Sequence, residues 1–442
     1  MHHHELDMTH GRIWPVLLAF TGPLLLENLL QLLYNTADSI VVGRYVGISA
    51  LAAVSATTQI CGMLVRFFNG TATGAGVVIS QSFGAKDTKR LHDAIQTTML
   101  LTLIACAVLT AVGVMSSRWL LEKISTPPDV FDEADLYLKI YFGGISGLLI
   151  YNMGGAVLRA MGDTKRPLMF LIFCSLLNII LDLVFVIVFH WGIAGVATAT
   201  ILAQAISAVL VLYAVASSTG ALKNMRMNGF LASKILQIGL PFGFQMAIVA
   251  FSNVFIQGYI NYFGTAYIAG WGVYSKLDQY MILPIQNMGQ AVTTFAGQNI
   301  GAGDYSRARR GTYTALAMIM GISICVGLIL YTYAPELSSL FSPDASVIAY
   351  GAMFIRLCAP FAVFCCFTQI FSGALRGDGN SQMPMILTLC AYVLFRQVYL
   401  YFITRIIPDN VYVVGFAYPA GWIVCAVLNT AYYFYWQYKV KR

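Results

Sequence analysis

The sequence predicts an all-α polytopic membrane protein with twelve transmembrane helices in two six-helix bundles. First, 58% of its 442 residues are hydrophobic and only 10% are charged, whereas about a quarter of the residues in a soluble domain are charged. Second, apolar runs recur along the whole chain, and about 20 apolar residues suffice for one membrane crossing. Third, the two halves of the chain share motifs at a constant spacing.

The apolar runs are interrupted by Gly, Pro and charged residues, which mark the predicted loops. The predicted spans are residues 13–40, 48–70, 91–115, 134–157, 167–189, 193–216, 234–262, 266–293, 311–333, 346–372, 384–407 and 411–436. We therefore divide the chain into a tag remnant and N-terminal segment (1–12), a first bundle (13–216), a linker (217–233), a second bundle (234–436) and a tail (437–442). No cleavable signal is expected before the first span.

The distribution of basic residues predicts the orientation. Seventeen of the 26 Lys and Arg residues fall on the side of the membrane that holds both termini, and four fall on the opposite side. The positive-inside rule then places both termini in the cytoplasm of a multi-pass protein of the cytoplasmic membrane. The net charge of +7 comes from scattered short clusters, so we expect no nucleic-acid partner. We expect a monomer surrounded by lipid.

Motifs that would indicate an enzyme are absent. The sequence contains no His-Glu-x-x-His, no Gly-x-Ser-x-Gly and no phosphate-binding loop that ends in Gly-Lys-Ser or Gly-Lys-Thr. The nine cysteines lie in apolar stretches without the spacing of metal ligands, so we expect them to pack as small hydrophobic residues. We predict no catalytic activity, no bound cofactor and no ATP-driven function.

An internal repeat relates the two halves at an offset of 217 residues. The identical positions in the first and second copies are Gln81/Gln298, Gly84/Gly301, Ala85/Ala302, Asp87/Asp304, Arg90/Arg307, Leu158/Leu375, Arg159/Arg376, Gly162/Gly379 and Pro167/Pro384. Such agreement indicates duplication. Because six spans is an even number, the halves should be related by a pseudo-two-fold axis along the membrane normal, an arrangement typical of transporters.

Four acidic residues fall inside apolar runs: Glu27, Asp38, Asp182 and Asp278. Each costs about 2.5 to 3.5 kcal/mol at the centre of a membrane helix, so each requires a partner, a cavity or a proton. On the first helix, Glu27, Gln31, Tyr34 and Asp38 span about 60° of the surface at 100° per residue, which makes them candidate cavity-lining residues. For Glu27 we weigh a structural and a transport role equally.

The fifth and sixth helices bring further polar groups to the depth of Asp38. Asn178 and Asp182 lie one turn apart on one helix face, and Asp182 and Thr200 are equally far from the turn near residue 191. These oxygen-bearing groups would suit a small cation such as Na⁺, or two carboxylates that share a proton. The alternative is that Asp182 and Thr200 only stabilise helix packing, by about 0.6 to 2 kcal/mol.

Other charged residues within or near the spans have alternative interpretations. Asp278 either pairs with Lys276 or opens onto a cavity connected to the cytoplasm. Arg66, Arg356 and Arg396 would favour an anionic cargo if they converged on one cavity. The sequence alone does not assign these roles.

Several motifs resemble one transporter family. They are Tyr34-Asn35-Thr36-Ala37-Asp38 through Val42-Gly43, Gln81-x-x-Gly84-Ala85 with its copy at Gln298, Leu158-Arg159-Ala160-x-Gly162-Asp163, and Asn178-x-x-x-Asp182. In this order they resemble the multidrug and toxic compound extrusion (MATE) family over nearly the whole chain.

The resemblance implies an antiporter with a V-shaped cavity between its bundles, which exports amphipathic, often cationic compounds in exchange for Na⁺ or H⁺. It implies cation coupling at Asp38, Asn178, Asp182 and Thr200, with Asn35 as a further candidate lining residue. The second bundle lacks acidic residues in its seventh and tenth spans, so no second ion site of the family's type is expected. The alternative function is a flippase or exporter of a lipid-linked or anionic precursor.

Overall fold

A computed structural model describes residues 6–124, 126–223, 225–408 and 410–440 of the chain. Within this range, the side chains of Asn35, Ala37, Ser39, Ile48, Leu51, Gln59 and Val440 are not described. All regular structure in the described residues is helical. The prediction of an all-α fold is therefore confirmed.

The first half consists of six helices: α1 (Ile13–Val41), α2 (Ile48–Gly84), α3 (Thr88–Lys123), α4 (Pro128–Ala160), α5 (Lys165–Leu183) and α6 (Gly192–Thr219). Two of them continue into a π-helical turn, α1 at Val42–Val46 and α5 at Val184–Val188. The helices α2, α3 and α4 are longer than their apolar runs, because helical turns continue into polar sequence at their ends.

The second half contains α7 (Gly229–Asn261), α8 (Thr265–Gly301), α9 (Tyr305–Thr332), α10 (Ala334–Ser339), α11 (Ala345–Cys358), α12 (Ala362–Gly377), α13 (Gln382–Leu389), α14 (Arg396–Ile406), α15 (Val411–Gly415) and α16 (Ala417–Val440). Pro360 lies in the 3₁₀ turn between α11 and α12, where its missing N–H interrupts the α-helix. A π-helical turn at Cys390–Phe395 joins α13 to α14.

Twelve membrane spans result from these helices. In the described part of the chain, ten segments are both long and apolar enough to cross a bilayer. The remaining two spans are α2 and α8, which have 37 residues each and carry polar residues along their length. The predicted number of spans is therefore confirmed.

The repeated motif forms the same tight turn in both halves. Asp87 accepts a hydrogen bond from the backbone N–H of Arg90 at 2.9 Å, and Asp304 accepts one from that of Arg307 at 2.7 Å. The residue before each aspartate has a positive φ, 55° at Lys86 and 80° at Gly303. Each aspartate is thus the N-cap of the next helix, which explains why the sequence repeats here.

Small residues allow close helix packing in each half. A Cβ atom at Gly147 of α4 would lie 2.8 Å from the backbone nitrogen of Ala205 on α6. In the second half, a Cβ atom at Gly373 of α12 would lie 2.5 Å from the carbonyl oxygen of Gly289 on α8. Helices in a membrane associate through such contacts because lipid removes the hydrophobic driving force between them.

The helices group into two compact units. Unit 1 comprises residues 6–7 and Gly22–Gly239. Unit 2 comprises Met8–Thr21 and residues 240–440. The division falls inside α1 and α7, next to Pro23 and Pro241. Unit 1 holds all the helix segments that carry the predicted coupling residues.

Candidate ion-coupling site

Three helices of unit 1 carry the candidate site. Asp38 lies in the last turn of α1, before the π-helical turn that follows it. Asn178 and Asp182 lie one turn apart on α5, also just before a π-helical turn. Thr200 lies in the first half of α6. The tight connection at His190, which has a φ of 54°, makes α5 and α6 antiparallel neighbours.

The Asn178 amide connects these residues. When its nitrogen faces the carboxyl groups, the orientation that satisfies its neighbours, it donates to Asp38 Oδ1 at 3.0 Å and to Asp182 Oδ2 at 3.2 Å. Its oxygen then accepts the backbone N–H of Thr200 at 3.2 Å. The Thr200 hydroxyl donates to the carbonyl of Val196 at 3.0 Å. The structure thus brings the four predicted residues together.

The two carboxyl groups also face each other. Those of Asp38 and Asp182 lie within hydrogen-bonding reach of one another. Asp182 is fully buried, and its Oδ1 has no hydrogen-bond partner in the described structure. Two ionised carboxylates about 4 Å apart repel by about 4 kcal/mol at an effective dielectric constant of 20. A shared proton or a small cation would relieve this repulsion.

The predicted lining residues of α1 have different environments. The Tyr34 hydroxyl forms a hydrogen bond with Asp38, so this residue belongs to the site. Gln31 is exposed in the isolated chain. The side chain of Asn35 lies outside the described part of the structure. Glu27 is about three turns from Asp38 along α1 and has a partner of its own.

Glu27 forms an ion pair with Arg159 of α4. Its Oε1 lies 3.4 Å from Arg159 Nη1 and 3.5 Å from the Tyr151 hydroxyl, and both charged side chains are at most 15% exposed. Glu27 Oε2 and Arg159 Nε have no hydrogen-bond partners in the described residues. The contact is therefore a single-point ion pair that ties α1 to α4.

Sequence reasoning missed Tyr137 and Cys61. Tyr137 of α4 lies within electrostatic range of Asp38, Asp182 and Cys61. No spacing rule connects these positions with α1 or α5, because the contacts arise from tertiary packing. The only sequence signal for such a residue is a polar side chain within an apolar run. Tyr137 follows the charged residues of the preceding loop closely, so it does not stand out in this way.

The donor set suits a monovalent cation or a proton more than a transition metal. Among the described residues, no group of three or more His, Cys, Asp or Glu side chains could hold a metal ion. Carboxylate, amide and hydroxyl oxygens are hard ligands. For Na⁺ to be coordinated, the Asn178 amide would have to turn its oxygen toward Asp38 and Asp182.

Comparisons with known proteins agree with this arrangement of helices. The chain matches the MatE family model over residues 23–184 and again over residues 241–402. It is 30% identical over 392 residues to the probable multidrug resistance protein YpnP of Bacillus subtilis, and the match covers 88% of each chain. It is 25% identical to the FAD transporter of Shewanella oneidensis over 400 residues, which cover 86% of this chain and 85% of that protein.

Solved structures show the same fold. The crystal structure of MATE in the bent conformation superposes with a TM-score of 0.93 at 20% sequence identity, covering 99% of this chain and 98% of that one. The two family-model matches fall in the two halves that the internal repeat defines. Together, the twelve spans, the duplicated match and the similarity to multidrug resistance proteins show that this chain belongs to the MATE family of multidrug transporters.

Proposed function

We propose that this protein is a secondary active exporter, which expels amphipathic, often cationic compounds in exchange for Na⁺ or H⁺. The observation that carries the proposal is the pair of carboxyl groups of Asp38 and Asp182, which face each other beside Asn178. In a membrane interior, one bound positive charge would stabilise such a pair of carboxyl groups. No prosthetic cofactor is required for this function, because the energy for export comes from the transported ion.

Coupling follows because the electrostatic repulsion between Asp38 and Asp182 differs between the ion-bound and the ion-free site. A proton or Na⁺ between Asp38 and Asp182 cancels their repulsion and draws α1 toward α5. Loss of the ion restores the repulsion and favours an arrangement in which these helices separate. An ion of this kind drives export only if its affinity differs between the two conformations and the drug has the opposite preference.

The membrane arrangement is part of the proposal. We place the protein in the cytoplasmic membrane with both termini in the cytoplasm, since the basic residues concentrate on that side. We propose a monomer as the transporting species. We also propose that residues 13–216 and 234–436 act as the two functional bundles, joined by the linker 217–233.

The alternative, an exporter or flippase of an anionic or lipid-linked precursor, would require basic residues at the cargo. In unit 2, Arg356 is exposed and donates to the carbonyl of Tyr331 at 3.4 Å, whereas Arg396 is buried and donates to Asn253. In unit 1, Arg66 is exposed. The FAD transporter of Shewanella oneidensis is a relative named for an anionic cargo, so this alternative is included in the test.

Transport by purified protein in liposomes tests the proposal. We expect an imposed gradient of either Na⁺ or protons to drive uphill movement of a cationic dye, and dye added alone to drive the reverse flux of that ion. Uphill transport of FAD without transport of the dye would favour the anionic cargo. Ion flux that does not depend on any cargo would indicate a channel and contradict antiport.

A further inference from the structure

Unit 2 contains a carboxyl group that the coupling site does not use. Asp278 lies in the interior of α8, between helical turns that are mostly buried. Of the two environments considered for it, the ion pair with Lys276 does not form. The Lys276 ammonium lies 5.5 Å from the centre of the Phe341 ring, and Lys276 is exposed. Within the described residues, Asp278 makes no ion pair.

The surroundings of Asp278 supply few groups that could stabilise a negative charge. Its Oδ1 is fully enclosed and has no hydrogen-bond partner in the described structure. Tyr274 precedes it by one turn on the same face of α8, and Cys358 of α11 and Cys365 of α12 lie within electrostatic range. Thiols are weak donors, and the Tyr274 hydroxyl can supply only one hydrogen bond to Asp278, so an ionised carboxylate here would be poorly compensated.

The Arg396 guanidinium, which shares Tyr418 with this cluster, is engaged by other groups. Arg396 of α14 donates through Nη2 to Asn253 Oδ1 at 2.7 Å. Its guanidinium lies 4.8 Å from the centre of the Tyr418 ring on α16. Tyr418 is within electrostatic range of both Arg396 and Asp278. The Arg396 guanidinium is thus held by Asn253 and the Tyr418 ring, and it forms no ion pair with Asp278 in the described structure.

The donor set distinguishes a proton from a metal cation. A hard cation such as Na⁺ or Mg²⁺ requires several oxygen ligands, but here one carboxyl group is accompanied by thiols and aromatic rings. A proton needs only the carboxyl group itself. Protonation also removes the charge that this environment would penalise by several kcal/mol.

We propose that Asp278 is a second proton-binding site, located in unit 2 and separate from the Asp38–Asp182 pair. Asp278 is only partly buried as a residue even though Oδ1 is enclosed, so the carboxyl group is not sealed on all sides by protein. In the state described here Asp278 holds the proton. Its use in a transport cycle, as one additional proton exchanged for each drug, rests on the proposed antiport function.

Infrared spectroscopy of the full-length protein in lipid tests proton binding without any drug. The wild-type spectrum at neutral pH should contain a carboxylic-acid C=O band that is lost in Asp278→Asn and shifted in Asp278→Glu. Because asparagine replaces a neutral carboxyl group by a neutral amide of the same shape, the variant should fold and insert normally. If Asp278→Asn does not fold, the band shift in Asp278→Glu decides the question.

Asp344→Asn is the matched control. Asp344 is exposed at the N-cap of α11 and accepts the backbone N–H groups of Ser346 at 2.8 Å and Val347 at 3.2 Å. Hydrogen bonds from the Ser346 hydroxyl and from these N–H groups hold the pKa of Asp344 below its usual value, so it is ionised at neutral pH. The control should leave the acid band unchanged.

The outcomes separate this proposal from the proposed function. Loss of the band in Asp278→Asn, with the band retained in Asp344→Asn, supports a proton on Asp278 whether or not the protein exports drugs. An unchanged acid band in Asp278→Asn, or in Asp278→Glu if only that variant folds, would show that Asp278 is ionised and would overturn the proposal. In liposomes, the proton-to-drug ratio of Asp278→Asn should fall by one proton, and an unchanged ratio would refute its part in the cycle.

Discussion

Replacement of Arg159 by methionine should strongly destabilise unit 1. Arg159 of α4 is the cationic partner that the structure provides for Glu27 of α1, at 3.4 Å. Methionine retains the apolar stem but removes the charge. Among the described residues, Glu27 would then keep the Tyr151 hydroxyl at 3.5 Å as its remaining hydrogen-bond partner. The buried carboxylate would have to become protonated or draw water into the helix interface.

The magnitude follows from the separation and the burial. Two unit charges at 3.4 Å attract by about 5 kcal/mol at an effective dielectric constant of 20. Removal of one member of a buried pair costs about 3 to 5 kcal/mol because the other charge stays uncompensated. We therefore expect Arg159→Met to lower the free energy of unfolding by about 3 to 5 kcal/mol, and Glu27→Met/Arg159→Met to cost less than the sum of the single changes.

Reversible unfolding of the purified protein in mixed micelles measures these free energies. Arg376→Met is the matched control, because Arg376 occupies the same place in the second repeat but lies 4.2 Å from the centre of the Phe242 ring and forms no ion pair with any described acidic residue. We expect no coupling between Arg376 and Phe244, the repeat equivalent of Glu27. A coupling energy below about 0.5 kcal/mol for the Glu27–Arg159 pair, as at exposed sites, would refute the reasoning.

Two further predictions concern the fold. Asp304→Ala should remove the N-cap of α9 and cost about 0.5 to 2 kcal/mol, and Asp304→Asn should restore most of it; equal stability of the alanine and asparagine variants in the same unfolding assay would contradict the cap. Gly147→Leu should separate α4 from α6, because even a Cβ atom would lie 2.8 Å from the Ala205 nitrogen. We expect a loss of folded protein on size-exclusion chromatography, and a monodisperse, stable variant would argue against this close contact.

Composition and repeats predicted most of the fold. Apolar runs separated by loops give the number of spans, since each run must bury its backbone as helix in lipid. The repeat predicted the duplication, and the structure explains its conserved spacing at Asp87 and Asp304, because each N-cap needs an acceptor side chain at that position. The π-helical turns after Val41 and Leu183 were not predictable, since no residue type marks them.

For the candidate site, helical periodicity predicted which residues lie close together but not which hydrogen bonds connect them. The equal distances of Asp182 and Thr200 from the turn near residue 191 predicted that they are neighbours, yet the link runs through the Asn178 amide and the backbone N–H of Thr200. The partner of Glu27 could not be predicted, because Arg159 is more than a hundred residues away in sequence. The coupling role of the four residues remains a prediction.

Asp278 illustrates the same limit of local reasoning. Lys276 is two residues away in sequence, but residues two apart point to different sides of a helix. The structure accordingly places the Lys276 ammonium near Phe341 and leaves Asp278 among Tyr274, Cys358 and Cys365. Sequence spacing by itself favours such a pair only at three or four residues.

Gradient-driven export by Asp38→Asn and Asp182→Asn tests the central claim most directly. Both variants should insert and fold as the wild type does, and both should fail to accumulate dye against its gradient under the ion gradient that drives the wild type. Asp129→Asn, at an exposed acid in the first turn of α4, should export normally. Full uphill export by both Asp38→Asn and Asp182→Asn would contradict ion coupling at this pair.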